Sequence, residues 1–272
     1  MQKIRLATWN INSARLRMPQ ILRFLKEYEV DVLCLQEIKC QNEQFPQEEL
    51  CALGYVHIAL NGQKAYHGVA TVSRLPLNIV EKTVFGGIDE ARHLNIELTE
   101  VKRARQLVQI HNFYVPAGGD VADAALNPKF AHKLQFLEDM ASSFSQQKMN
   151  APPMILVGDL NIAPLANDVW SHKQMLKVVS HTPIEVEQLL KVSQSLDWID
   201  ALRCHVPESE KLFTWWSYRA KDWKKSNRGR RLDHVWMTPD LAGACTDMQV
   251  VEPARSWERP SDHAPVIVDL AI

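Results

Sequence analysis

The sequence predicts an α/β fold in which two β-sheets pack face to face with helices outside them. Three observations carry that prediction. Nine apolar runs suited to buried strands recur along the 272 residues. Helical patterns lie between only some of them, whereas a simple doubly wound sheet needs a helix at nearly every crossover. No linker composition divides the chain, and 46% of it is hydrophobic, enough for one large core. A single domain over residues 1–272 is expected.

The strand candidates, in order, are Ile4–Ile11, Val32–Gln36, Gly68–Ser73, His93–Leu98, Leu107–Val115, Met154–Val157, Leu232–Met237, Gln249–Val251 and Pro265–Leu270. Many are rich in Val, Ile and Leu, as buried strands are. Met18–Tyr28 reads as a helix, and so does Pro183–Leu196, which follows Thr182. The clearest helix has Asn127 as its cap and Pro128 at its first position. Phe130, Leu134, Leu137, Met140 and Phe144 then share one face. The Trp215–Arg231 stretch reads as a long functional loop.

Composition excludes several classes. No window approaches a membrane span, and the first residues lack the charged-then-apolar layout of a signal peptide. A cytoplasmic protein with no membrane partner is expected. The five cysteines (Cys34, Cys40, Cys51, Cys204 and Cys245) form no Cys-x-x-Cys pair, so reduced, mostly buried thiols are expected rather than zinc ligands. The net charge of −1 does not announce nucleic-acid binding. Its distribution is more informative, because Arg219–Arg231 holds seven basic residues and one acid, with Trp223 among them. That stretch is either a footprint for phosphates or a solvated loop, and composition leaves both open.

Several strand candidates end in polar groups. Asn10 and Asn12 follow "ATW", Glu37 follows "VLCLQ", Asp159 and Asn161 follow "MILVG", and Asp262 and His263 precede the last strand. Taken singly, each has an ordinary explanation as a turn or cap residue. Taken together they form a chemical set. Asp233 lies in an apolar run where an unpaired charge needs a partner, and His263 is the candidate. Oxygen ligands without a Cys or His cluster suit Mg²⁺ or Mn²⁺, with Glu37 and Asp262 as the carboxylates. A carboxylate–imidazole pair beside an Asp/Asn pair supplies a base, orientation and charge stabilisation for attack of water on a phosphodiester. No Gly-rich phosphate loop and no Gly-x-Ser-x-Gly elbow is present.

Seven elements in order, "TWNIN", "LQEIK", "NFYVPAGG", "ILVGDLNIAP", "FTWWSY", "RGRRLDH" and "SDHAP", resemble the exonuclease III-type abasic endonucleases of the endonuclease/exonuclease/phosphatase fold. The likeness covers residues 4–270. It implies a four-layer α/β sandwich of two packed mixed sheets flanked by helices, with the site at one rim. It also implies a monomeric DNA-repair phosphodiesterase that cuts 5′ to abasic sites in double-stranded DNA and trims blocked 3′ ends, using Mg²⁺ with Mn²⁺ as a substitute. On this resemblance Glu37 is the main metal-binding carboxylate, Asn10 and Asn12 its neighbours and Asp262 an acid beside the metal. Asp159 positions or deprotonates the attacking water, and Asn161 orients it. His263 contacts the phosphate, Asp233 orients His263, and Tyr114 reaches the phosphate or leaving oxygen. Trp215 and Leu232 wall the abasic-sugar pocket, and Lys224, Lys225 and Arg228 of the basic stretch join them as DNA contacts.

The wider fold also contains phosphatases and phospholipases, and a reading on a small or lipid phosphate is the alternative. Those branches usually show a second catalytic His near "IHNFYVP". Here His111 has odd spacing from Tyr114 and reads as structural. A catalytically idle DNA-binding module conflicts with the complete polar set. Three positions depart from the family pattern: Ser13 for a usual Gly, Ala117 for an amide after Tyr-x-Pro, and Arg230 for an apolar pocket wall. Arg230 is expected to pack its stem on Trp215 and to aim its guanidinium at DNA phosphate.

Overall fold

Alternation along the first strand sets the layering. In Lys3–Asn10 (β1), Ile4 and Leu6 face one apolar cluster while Ala7 and Trp9 face another. The computed structural model describes residues 2–272. After β1 come helix Ala14–Tyr28 (α1), strand Val32–Gln36 (β2), the short helix Gln47–Cys51 (α2) and strands His57–Asn61 (β3), Val69–Ser73 (β4), Leu77–Glu81 (β5), His93–Arg103 (β6) and Gln106–Tyr114 (β7). Helix Pro128–Gln147 (α3), strand Met154–Asp159 (β8), the short helix His172–Met175 (α4) and helix Pro183–Ser195 (α5) follow. The chain ends with Ile199–Asp200 (β9), Trp215–Trp216 (β10), the helical turn Trp223–Ser226 (α6), Gly229–Arg230 (β11), Asp233–Met237 (β12), Cys245–Val250 (β13) and Val266–Ala271 (β14).

Two six-stranded sheets result, in the orders β13-β14-β1-β2-β4-β3 and β5-β6-β7-β8-β12-β9. Each is mixed, because β1–β2 and β7–β8 are parallel while their neighbours run antiparallel. Between the sheets lie Leu6, Val32, Val108, Ile110, Val157 and Val268 among others. Trp9, Leu33 and Leu35 on the outer face of the first sheet meet Ile21 and Phe24 of α1. Phe113 and Leu156 on the outer face of the second meet Phe136 and Met140 of α3 and Leu189 of α5. The result is the four-layer sandwich. No helix among the described residues is long and apolar enough to cross a membrane.

Every sequence-predicted strand is present, and the sheet-edge strands β3, β5 and β9 and the ribbon strands β10 and β11 are additional. Helix α1 starts four residues before the expected Met18, and Arg17 breaks its regularity (φ −113°, ψ 19°) just before Pro19. Proline has no N–H for the turn behind it, so the sequence pattern is interrupted there. The Trp215–Arg231 stretch is a β10–β11 ribbon carrying α6 rather than an irregular loop.

Register then delivers the polar strand ends to one rim. Tyr114 and Asp233 both pair with Asp159, across β7–β8 and β8–β12. Gly158 makes this possible: at φ +135° a Cβ would overlap the Phe113 carbonyl, so no other residue fits before Asp159.

Candidate active site

Asn10, Tyr114 and Asp159 end strands, Glu37 follows β2, Asp233 opens β12, and His263 lies just before β14. Four residues in the loops leaving β1, β2 and β8 adopt left-handed backbone: Asn12 (φ 49°), Glu37 (51°), Lys39 (52°) and Asn161 (54°). Such conformations persist only where surrounding contacts hold them, and they cluster at working sites. Ser13, at φ 91° and ψ 102°, explains why a glycine suits that position.

Asp159 is 1% exposed and firmly held. Its Oδ1 accepts from the Asn161 amide N–H at 2.9 Å, and its Oδ2 accepts from Asn10 Nδ2 at 2.8 Å and Asn161 Nδ2 at 3.1 Å. Burial, with the Asp233 and Glu37 charges, pushes its carboxyl up to about 7 against the opposing pull of His263 and Asn10. A buried carboxylate titrating near neutrality is suited to taking a proton from water.

Asp233 Oδ2 receives His263 Nδ1 at 2.8 Å and the Thr214 hydroxyl at 2.6 Å. His263 Nε2 faces Asp159 Oδ2 at 3.7 Å. Burial alone would lower the imidazole, but Asp233 and Asp159 raise it to about 10, so it is an imidazolium at neutral pH. The Asp159, Asp233 and His263 ligand atoms lie within 4.8 Å of one another. Their hydrogen bonds already commit His263 to Asp233, which leaves a cationic Nε2–H aimed at Asp159.

Glu37 and Asn12 form a separate oxygen set. Glu37 Oε1 accepts from Asn10 Nδ2 at 2.9 Å, and Glu37 Oε2 lies 2.8 Å from Lys39 Nζ. Although burial opposes it, Lys39 leads the influences that hold the Glu37 carboxyl below its usual range. Asn12 Oδ1 accepts from the same ammonium at 2.6 Å, and its Nδ2 reaches toward Asp262 Oδ1 at 3.4 Å. A positive charge already sits between two hard oxygens, so Glu37 and Asn12 fit a cation such as Mg²⁺. Asn10 bridges the two halves of the site: its Nδ2 donates to Glu37 Oε1 and Asp159 Oδ2, and its Oδ1 accepts from the Asn12 N–H at 3.1 Å. Asp262 is turned toward the pocket wall, where Oδ2 accepts Trp215 Nε1 at 2.9 Å.

Tyr114 is 8% exposed. Burial, then Glu37 and Asp159, push its phenol well above the usual range, so it remains a donor. The Arg92 guanidinium lies 4.7 Å from its ring centroid. His111, by contrast, lies under α3 against Phe144, on the sheet face opposite Tyr114.

Trp215 and Leu232 share an apolar cluster beside the site, and the backbone of Trp215 bridges to His263. Arg230 stacks on Trp215 at 4.9 Å as expected, and one end of its guanidinium is already engaged. Its Nη1 donates to the Ser180 hydroxyl at 2.9 Å and the Val179 carbonyl at 3.2 Å. Of the seven basic residues in this stretch, Arg231 is buried in ion pairs with Asp168 and Asp200. Arg219, Lys221, Lys224, Lys225 and Arg228 are exposed.

Sequence reasoning missed the supports. Thr214 holds Asp233 and also accepts its backbone N–H. The Ser261 hydroxyl donates to the Asn10 carbonyl at 2.6 Å and accepts from the His263 N–H. Lys133, paired with Glu185 at 2.5 Å inside the protein, donates to the carbonyls of Asn161 (2.9 Å) and Ala117 (3.3 Å). Thr214 lies within "FTWWSY" and Ser261 within "SDHAP", and membership in those elements was the signal available for both.

A profile of the Endonuclease/Exonuclease/phosphatase family matches residues 7–263. The chain is 30% identical to exodeoxyribonuclease III of Haemophilus influenzae over 95% of its own length and 97% of that protein's. Among solved structures it resembles an AP endonuclease from Archaeoglobus fulgidus (TM-score 0.88, 28% identity, 99% of this chain and 100% of that one). It is equally similar to the 3′ phosphatase NExo from Neisseria, solved with a product DNA hairpin (TM-score 0.87, 28% identity, 99% and 100%). With its two-sheet fold and its rim of strand-end carboxylates, the chain belongs to the endonuclease/exonuclease/phosphatase family.

Proposed function

We propose that this protein is a metal-dependent DNA-repair phosphodiesterase that cuts 5′ to abasic sites and clears blocked 3′ ends. The carrying observation is the pairing of a neutral-range Asp159 with a charged His263–Asp233 unit at one rim. The likeness to an exodeoxyribonuclease III sequence and to AP endonuclease and 3′ phosphatase structures supports DNA as the substrate.

The chain's residues suit in-line displacement at phosphorus. Asp159 takes a proton from water as its oxygen attacks, and the Asn161 amide beside it orients that water. The imidazolium of His263 offers its Nε2–H to the phosphate, where negative charge grows. Asp233 keeps that ring charged and turned. Tyr114, held protonated, gives a hydrogen bond to the phosphate or the leaving 3′ oxygen. Glu37 and Asn12 would hold Mg²⁺, for which Mn²⁺ substitutes, and the bound ion would add Lewis-acid charge at the phosphate. Exposed Lys224, Lys225 and Arg228 would follow the DNA backbone, with Trp215 and Leu232 beside the displaced sugar.

The test is cleavage of a duplex holding one tetrahydrofuran site and of a duplex ending in a 3′-phosphate, each with Mg²⁺, with Mn²⁺ and with chelator. Metal-dependent cleavage of either supports the reading. Phosphate release from inositol or lipid phosphates with no DNA cleavage would replace it with the small-phosphate alternative.

A further inference from the structure

Lys39 belongs to no role assigned so far, yet it touches two oxygens of the cation set. Its Nζ lies 2.8 Å from Glu37 Oε2 and 2.6 Å from Asn12 Oδ1. The backbone beneath it is pinned, since Lys39 N donates to the His67 carbonyl at 2.9 Å and Ile38 N to that of Gly68 at 3.0 Å. All three residues of this triangle are in left-handed backbone. Asn takes that backbone readily, but Glu37 and Lys39 do not, so contacts hold those two there. The Lys39 side chain keeps 29% of its surface, so a route outward is open to its flexible stem.

We propose that Lys39 is a built-in stand-in for the divalent ion. In the metal-free protein its ammonium occupies the place between Glu37 and Asn12, neutralises the enclosed carboxylate and keeps both oxygens aimed. When Mg²⁺ arrives the ammonium leaves, because two cations cannot share the same two oxygens. The site is thereby pre-organised without metal, and metal binding is weakened by the ion it must displace. This rests on the cation-site reading of Glu37 and Asn12. The rival role is a lysine that stays in place and merely orients Glu37 toward the metal. The two roles predict opposite signs.

The experiment measures Mn²⁺ affinity by calorimetry on metal-free protein without DNA, for wild type, Lys39→Met, Lys39→Gln and Glu37→Gln. The stand-in predicts tighter Mn²⁺ binding by both Lys39 variants, by roughly tenfold, from removal of a competing charge. Unchanged or weaker binding by the folded variants overturns it. In wild type the side-chain amine NMR signal of Lys39 should move to a solvent-exposed lysine position as Mg²⁺ is added. A signal that stays put overturns the proposal independently, even if a variant does not fold. Glu37→Gln separates the two levels. If it leaves Mn²⁺ affinity unaltered, the cation site itself is misplaced; if it weakens affinity while Lys39→Met fails to tighten it, only the stand-in is lost.

Discussion

His263 at the rim and His111 beneath α3 are both enclosed imidazoles, 4% and 1% exposed, yet they end in opposite charge states. Burial lowers both. His263 has two carboxylates against it and rises to about 10. His111 has no carboxylate in hydrogen-bond contact, with exposed Glu81 only within 4.8 Å, and burial lowers it to about 3. Thr83 N donates to His93 Nδ1, so His93 Nε2 carries the proton and donates to His111 Nδ1 at 3.1 Å. That tautomer also argues against the Glu81–His93–His111 group as a metal site, since the His93 nitrogen facing His111 is a donor. Enclosure therefore does not mark a functional histidine. The charges enclosed with it do.

The largest effect expected from breaking this contrast is at Asp159. Asp159→Asn should lower kcat by ~10²–10⁴-fold and leave duplex affinity near wild type, because a base is lost and no phosphate contact is. Single-turnover cleavage and a binding isotherm on the same tetrahydrofuran duplex check both halves. Next, Asp233→Asn removes the charge that holds His263 up. The alkaline limb of the kcat/KM profile should move to lower pH by about one unit or more. An unmoved limb would mean that His263 is not the group titrating there.

His111 provides the opposite test. Its folded pKa of about 3 lies below the ordinary histidine value of about 6.5, so the unfolded chain takes the proton first on acidification. Its contribution to stability is intact above about pH 6.5 and is lost toward pH 3, at ~1.4 kcal/mol per pH unit. His111→Gln, which keeps an acceptor for His93, should flatten that loss in urea titrations from pH 7 to 4 and leave kcat unchanged. A kcat that collapses in this variant would return His111 to the site.

The same contrast recurs among the cations at the end of the basic stretch. Arg231 is raised by Asp200 and Asp168 despite burial, whereas burial lowers its neighbour Arg230, which has no carboxylate in its hydrogen-bond shell. The exposed lysines should act on affinity alone. Lys224→Ala with Lys225→Ala should reduce the salt slope of duplex binding by about one unit per lost phosphate contact. The smallest effect is expected at Arg230→Leu. Cleavage should persist, with a few-fold rise in the kcat/KM ratio of a tetrahydrofuran duplex over an undamaged recessed 3′ end, on the scale of one altered pocket contact. A level or falling ratio would mean that Arg230 serves selection as it stands.

The legible part of this molecule was the part written locally. Strand-end polar residues stand out against apolar runs, and so Asp159, Asp233 and His263 were readable as a set. What long side chains do across the fold was not. Arg231 looks like one more charge of a basic stretch, and its partners Asp200 and Asp168 lie 31 and 63 residues away. The bridge that Asn10 makes between Glu37 and Asp159 is equally unreadable locally, because those carboxylates lie 27 and 149 residues away. The edge strand β5 escaped because its last four residues are exposed, which erases the alternation that marks a half-buried strand.

The hydrogen bond from Asn10 to Asp159 joins a strand of one sheet to a strand of the other. The active centre is therefore a seam, and neither sheet alone contains it. A folding intermediate with either sheet complete but the two undocked would have its secondary structure and no hydrolytic competence. Return of activity during refolding would consequently report the docking of the two layers rather than the completion of either.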